Sequence, residues 1–427
     1  MNLHLEKAKG KGQKAKVKIT GSKSETNRLL LLQALYPNLV LENTSNSDDS
    51  EVMLKALQNS QLATRNSQLV DVHHAGTAMR FLTAFFAIQE GKEVVLTGSS
   101  RMKERPIKIL VEALNELGAK ITYEENEGFP PIRIKGKKLT QNKVSLPANV
   151  SSQYISALLL IAPKLENGLE LMLEGEITSV PYIKMTLALL NEIGIETSFE
   201  NNLISVKSSE VEINSKLITV ESDWSSASYW FSIVALSEIG TQIILSSYKE
   251  NSLQGDSALV EIYKDFGVET VFNYDNSITI SKTKNCHSNN SEQVKQLSIV
   301  NYQLNNSPDI AQTIAVTCFG LGIGCDLTGL HTLKIKETDR LEALKIELTK
   351  LGAEISVTND SLHLKSSSEI KESISISTYQ DHRMAMAFAP LALKVPITIN
   401  QAEVVSKSYP NFWEDLEIIG IVGSEVN

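Results

Sequence analysis

The sequence predicts an α/β protein built by repetition. One pattern recurs: an amphipathic helix, a glycine just past its end, then a short alternating strand. The copies lie about 70 to 85 residues apart, too far for ordinary solenoid repeats and suited to a small unit of several elements. Six copies fit the 427 residues as two halves of three.

In chain order, AKVKIT (15–20) alternates like a strand and GSKSETNR (21–28) hands over to the apolar helix LLLLQAL. Ser22 and Glu25 have the spacing of a capping box. SEVMLKALQNSQLAT keeps the helical face without the glycine. In RPIKILVEALNELGAKITY, Pro106 suits a first helical turn, Ile107, Leu110, Val111, Leu114 and Leu117 line one face, and Gly118 follows as the cap. The same design returns with Gly194, Gly267, Gly352 and, in a shorter copy, Gly420. The stretch 281–296, SKTKNCHSNNSEQVKQ, reads as a polar surface excursion.

Composition is that of a soluble globular protein, 42% hydrophobic and 21% charged. The net charge of −9 gives no electrostatic case for nucleic acid or membrane binding. No apolar run is long enough to span a bilayer, and the N-terminus lacks the apolar core of a signal peptide, so a cytoplasmic protein is expected. Cys286, Cys318 and Cys325 form no C-x-x-C pair and read as reduced, mostly buried thiols.

Against this acidic background, cations sit at helix starts. Lys23 and Arg28 lie in GSKSETNR, and Arg101, Lys103 and Arg105 in RMKERP. KETDR places Lys336 and Arg340 on what reads as one helical face, DHRMAM puts His382 and Arg383 in a first turn with Asp381 as cap, and Lys407 precedes the last helix. A helix N-terminus is already partly positive, so each placement is locally unfavourable by a few tenths of a kcal/mol. An anionic ligand with phosphate or carboxylate groups would reverse the sign and use the free N–H groups. No Walker A loop, dinucleotide fingerprint or metal-ligand spacing is present, and GLGIG (320–324) reads as a tight apolar turn. No metal and no cofactor is expected.

These segments carry a family resemblance. GSKSETNR, AGTAMR (75–80), RMKERP, SSQ (151–153), SVPY (179–182), ESDWSSASY (221–229), PDIAQTIA (308–315), KETDR, DHRMAM and SKSYP (406–410) occur in family order, and the chain resembles the EPSP synthases, or 3-phosphoshikimate 1-carboxyvinyltransferases. The resemblance implies two similar α/β domains, each of three βαβαββ units about a pseudo-threefold axis, with ligands in the interdomain cleft. The domains would be residues 21–220 and residues 1–20 plus 221–427. The implied reaction joins phosphoenolpyruvate to the 5-hydroxyl of shikimate 3-phosphate and releases phosphate, in a monomer with small-molecule partners only.

By the same resemblance, shikimate 3-phosphate would be held by Lys23, Ser24, Arg28, Ser151, Ser152, Gln153, Ser179, Tyr182, Asp309 and Lys336. Phosphoenolpyruvate would be surrounded by Lys23, Gly76, Thr77, Arg105, Gln153, Arg340, Arg383 and Lys407. Asp309 would take the hydroxyl proton and Glu337 would serve the carbon, with Lys23 sharing either role. From the residues alone, Asp309 could instead cap a helix and Glu337 could pair with Arg340. Four positions depart from the family pattern: His74, Phe81, Thr332 and Thr20. The alternative is the sister enzyme that uses UDP-N-acetylglucosamine, whose usual cysteine acid has no counterpart near RMKERP.

Overall fold

The computed structural model describes residues 1–8, 14–62, 68–175, 177, 180–209, 215–284 and 299–426. Ser179, Cys286 and all but the first four residues of the polar stretch 281–296 lie outside the described residues. The chain divides into two compact units, Gly21–Val220 and Met1–Thr20 with Glu221–Asn427.

The repeating glycines do the same work in both units. Gly118, Gly194, Gly267, Gly352 and Gly420 have φ between 77° and 104°, where a side chain is strained and glycine is not. That turn lets the next N–H reach back to the helix, as from Ala119 to Leu114, Ile195 to Leu190, Val268 to Tyr263 and Ala353 to Leu348. Gly322 ends the helix Ala311–Leu321 in the same way, so GLGIG is a helix cap leading into a strand. Pro106 falls outside its helix, which starts at Lys108 after Ile107 as N-cap. The proline precedes an entry turn in which the Ile107 N–H bonds the Gly128 carbonyl.

Among the described residues, five of the six sheets follow one plan. Two strands pair in parallel, and a later pair of strands joins the second of them antiparallel. In the unit 21–220 these are Gln68–Asp71 and Glu93–Thr97 with Ile132–Lys135 and Lys120–Tyr123, then Lys143–Pro147 and Leu169–Glu174 with Leu203–Val206 and Thr197–Glu200. In the other unit, Lys14–Val17 and Gln242–Leu245 take Ile278–Lys282 and Val268–Phe272, while Ile299–Gln303 and Gly324–Thr328 take Leu362–Leu364 and Ile355–Val357. The fifth sheet, Ile374–Ile376 and Ile397–Ile399 with Ile421–Val426, receives its remaining strand from the opposite end of the chain, Asn2–Lys7. The sixth holds only the parallel pair Leu39–Glu42 and Lys216–Thr219 among the described residues.

The crossing near residue 220 is tied down in each unit. On one side the Val220 N–H bonds the Glu42 carbonyl and Asn43 Nδ2 bonds the Val220 carbonyl, both at 2.9 Å. On the other, Ser222 Oγ donates to the Ile19 carbonyl at 2.6 Å and the Asp223 N–H to that of Thr20.

Each unit is centred on helices buried on nearly every side. Lys23–Leu35, Gly76–Ala87 and Ser152–Ile161 pack on one another in the first unit. In the second, Ala311–Leu321 packs on both Trp224–Leu236 and His382–Phe388. The chemistry-bearing residues collect at the N-terminal ends of these helices, where unpaired N–H groups concentrate.

Candidate active site

In the unit 21–220 the site residues make three sets of contacts. Lys23 opens its helix, and its Nζ lies 3.5 Å from Asp49 Oδ2, so the misplaced cation has a carboxylate neighbour. Ser22 makes no side-chain cap bond, contrary to the capping-box expectation. Arg28 is buried and spends its fork on neutral groups: Nε donates to Thr186 Oγ1 (2.8 Å), and the terminal nitrogens to the Ser24 carbonyl (2.7 Å), Ser156 Oγ (2.9 Å) and, more weakly, the Tyr182 carbonyl. Burial lowers its pKa to about 10, against the support of Tyr182 and Glu25. A cation so placed costs stability and favours an anion beside it.

Gly76, Thr77, Arg105 and Gln153 form the second contact. A side chain at Gly76 would bring its Cβ to 2.6 Å from an Arg105 guanidinium nitrogen, so glycine is what admits the arginine to the helix terminus. Gln153 Nε2 donates to Thr77 Oγ1 at 3.0 Å, joining the ends of two buried helices. Ser151 caps its helix by accepting from the Gln153 N–H, and Ser152 is buried in the first turn.

Arg80, present in AGTAMR but given no role from the sequence, makes the third. It bonds the carbonyls of Gly76 (3.1 Å) and Pro106 (3.2 Å) and lies against the Tyr154 ring, and among the described residues its Nε finds no partner. Burial and then the charge of Arg105 lower its pKa to about 10. Its position four residues after Gly76 is the signal that could have found it.

The other unit gathers Asp309, Lys336, Glu337, Arg340 and Arg383. Arg340, 2% exposed, bonds three carboxylates: Asp381 through Nε (2.6 Å), Asp309 through Nη1 (2.8 Å) and Glu337 through Nη2 (2.8 Å). Arg383 reaches the Asp309 carboxylate (3.4 Å), the Asp309 carbonyl (3.3 Å) and Ser225 Oγ (3.2 Å). Lys336 Nζ is 3.4 Å from Asp309 Oδ1. Burial alone would raise the Asp309 carboxyl, but Lys336, Arg383 and Arg340 outweigh it and hold it well below the usual carboxylate range. Burial likewise opposes the charge on Arg340, and Asp381, Glu337 and Asp309 restore it above the ordinary value.

Two helix expectations are corrected here. The helix begins at Arg340 with Asp339 as cap, so Lys336 shares no helical face with it; the two meet through Asp309. Asp309 is inside the turn Pro308–Ile310 and caps nothing, whereas Asp381 does cap, accepting from the Arg383 N–H at 2.9 Å. Lys407 has a different neighbour, the Gln380 carbonyl at 2.8 Å. Tyr379 and Gln380 both have positive φ, backbone strain placed directly before the Asp381 cap.

Among the described residues no group of three or more His, Cys, Asp or Glu side chains is placed to hold a metal ion. The sequence model for EPSP synthase (3-phosphoshikimate 1-carboxyvinyltransferase) matches residues 7–416. The chain belongs to the EPSP synthase family. The 3-phosphoshikimate 1-carboxyvinyltransferase of Bacteroides fragilis (strain YCH46) is 45% identical across 96% of this chain and 97% of its own. That of Sulfurovum sp. (strain NBC37-1) is 35% identical across 94% and 96%. The solved EPSP synthase from Acinetobacter baumannii superposes with a TM-score of 0.79 over 99% of both chains at 20% identity, which shows the shared two-domain α/β fold.

The buried Phe81 ring lies 5.4 Å from the Arg28 guanidinium carbon, a cation–π contact that supports the buried charge. Cys318 and Cys325 are buried. No helix among the described residues is long and apolar enough to cross a membrane.

Proposed function

We propose that this chain transfers the enolpyruvyl group of phosphoenolpyruvate to the 5-hydroxyl of shikimate 3-phosphate, releasing phosphate and forming 5-enolpyruvylshikimate 3-phosphate. The observation that carries the reading is the setting of Asp309: a partly exposed carboxylate kept ionised by Lys336, Arg383 and Arg340. An ionised carboxylate accepts a proton. An arriving phosphate or carboxylate competes for the same cations, relaxes the depression and makes Asp309 more basic when the hydroxyl proton must leave.

In this reading Ser24, Arg28, Ser151, Ser152, Ser179, Tyr182 and Lys336 hold shikimate 3-phosphate. Lys23 and Gln153 serve both substrates, and Gly76, Thr77, Arg105, Arg340, Arg383 and Lys407 take phosphoenolpyruvate. Glu337 and Lys23 move the remaining protons. The protein acts as a cytoplasmic monomer without nucleic-acid partners. The deciding assay is phosphate release by purified protein given phosphoenolpyruvate with and without shikimate 3-phosphate. Release only with UDP-N-acetylglucosamine would transfer the chain to the sister reaction.

Gly76→Ala should fold, because the colliding atoms belong to the movable end of Arg105. Displacing that guanidinium should raise the KM for phosphoenolpyruvate about tenfold, with little change for shikimate 3-phosphate. An unchanged KM in steady-state kinetics would remove Arg105 from the anion site. Glu337→Gln keeps the shape and removes the proton carrier, so turnover should fall about 10²-fold while both substrates still bind. Turnover within about threefold of the parent would leave Glu337 only its 2.8 Å bond to Arg340.

A further inference from the structure

Behind Arg383 lies a pair of residues that the reaction as described does not use. Ser225, in the first turn of Trp224–Leu236, donates its hydroxyl proton to Asp256 Oδ2 and accepts from Arg383 Nη2 at 3.2 Å. A hydroxyl has one proton; when it is given to a carboxylate, only lone pairs face the guanidinium. Asp256 is 6% exposed, in the turn Gly255–Ala258. Gln254 fastens that turn to the helix start, its Oε1 accepting from the Trp224 N–H and its Nε2 donating to the Ser222 carbonyl, both at 3.0 Å. Burial, then Asp309, push the Asp256 carboxyl up to about 6, while Arg383 and Ser225 draw it down and Asp223 adds a smaller upward push.

We propose that Asp256, acting through Ser225, is a positioning residue that fixes the direction of the Arg383 guanidinium toward phosphoenolpyruvate. The carboxylate sets the hydroxyl, the hydroxyl holds one Nη2 donor, and Asp309 holds the remaining contacts, so the fork has one orientation before ligand arrives. This rests on the assignment of Arg383 to phosphoenolpyruvate.

The test is steady-state kinetics on Ser225→Ala, Asp256→Asn, their double variant and Arg383→Gln, each checked for an intact thermal transition. The expected result for each of the first two is a KM for phosphoenolpyruvate about tenfold higher, with kcat and the KM for shikimate 3-phosphate within about twofold of the parent. The double variant should be no worse than either single, because the two act in series. Singles at the parent KM, or effects that multiply in the double, overturn the proposal. If Asp256→Asn fails to fold, Ser225→Ala alone decides it by the same KM split. Arg383→Gln separates the two assignments: a parent-like KM there removes Arg383 from the phosphoenolpyruvate site and the positioning role with it. A large loss there beside parent-like singles removes only the positioning role.

Discussion

Replacing Arg340 with methionine will destabilise the unit that contains it by about 3–5 kcal/mol, the usual cost of breaking a buried ion pair by removing one partner. Methionine fills much of the same space, so the loss reports charge more than volume. It leaves Asp381, fully buried, and Asp309 and Glu337 close together without the cation that bonded all three. Tryptophan fluorescence in urea reads this unit alone, because Trp224, Trp230 and Trp413 all lie in it.

The pH dependence supplies a second check. In the parent, Asp309 is depressed, so its contribution is present above the ordinary carboxylate pKa of about 4 and is lost as pH falls through the lower folded value. Without Arg340, Asp309 loses one of the three cations that depress it, so less of that stability remains above the carboxylate range. The gap between parent and variant should therefore be level from about pH 5 to neutrality and narrow as pH falls below about 4. A loss under about 1 kcal/mol, flat with pH, would make this an ordinary surface-type pair.

How much of this was legible in the sequence depends on the range of the interactions. Gly118, Gly194, Gly267, Gly352 and Gly420 announced the repeats because a helix cap is local: the residue that needs positive φ is the one that shows it. The closing of one sheet by Asn2–Lys7 left no such mark, since its partners Ile397–Ile399 and Ile421–Val426 sit at the other end of the chain. Helix starts fell between these cases. Pro106 and Lys336 looked helical by spacing, yet backbone bonds to Gly128 and the Asp339 cap moved the first turns onward.

The site divides in the same way. Its cations were visible as charges in the wrong place for a helix dipole. Asp256 and Ser225 were not, because their relation to Arg383 is made by three separate elements and no motif spacing joins them. Arg28 was found for the right sign of charge, but its neutral hydrogen-bond partners Thr186 and Ser156 come from two other helices.

Asp309→Asn should separate binding from turnover more sharply than any other change. The amide keeps the size and one acceptor oxygen, enough for Arg340, while Arg383 keeps the Asp309 backbone carbonyl, but it cannot accept the hydroxyl proton. Turnover should fall by about 10²–10⁴-fold. Anion affinity should move the other way or stay level. In the parent, Lys336, Arg340 and Arg383 are partly neutralised by the Asp309 carboxylate, and an incoming phosphate must compete with it. Removing that charge leaves the cations freer for ligand, at a cost in stability of the empty protein. The expected signature is a dissociation constant for shikimate 3-phosphate equal to or below that of the parent, measured calorimetrically, beside a collapsed kcat. The variant should also lose the part of the parent's urea stability that appears as pH rises through the carboxylate range, since the depressed group is gone. A kcat within about threefold of the parent would show that Asp309 only organises the cations. A kcat loss matched by equally weakened binding would make it a ligand contact rather than the base.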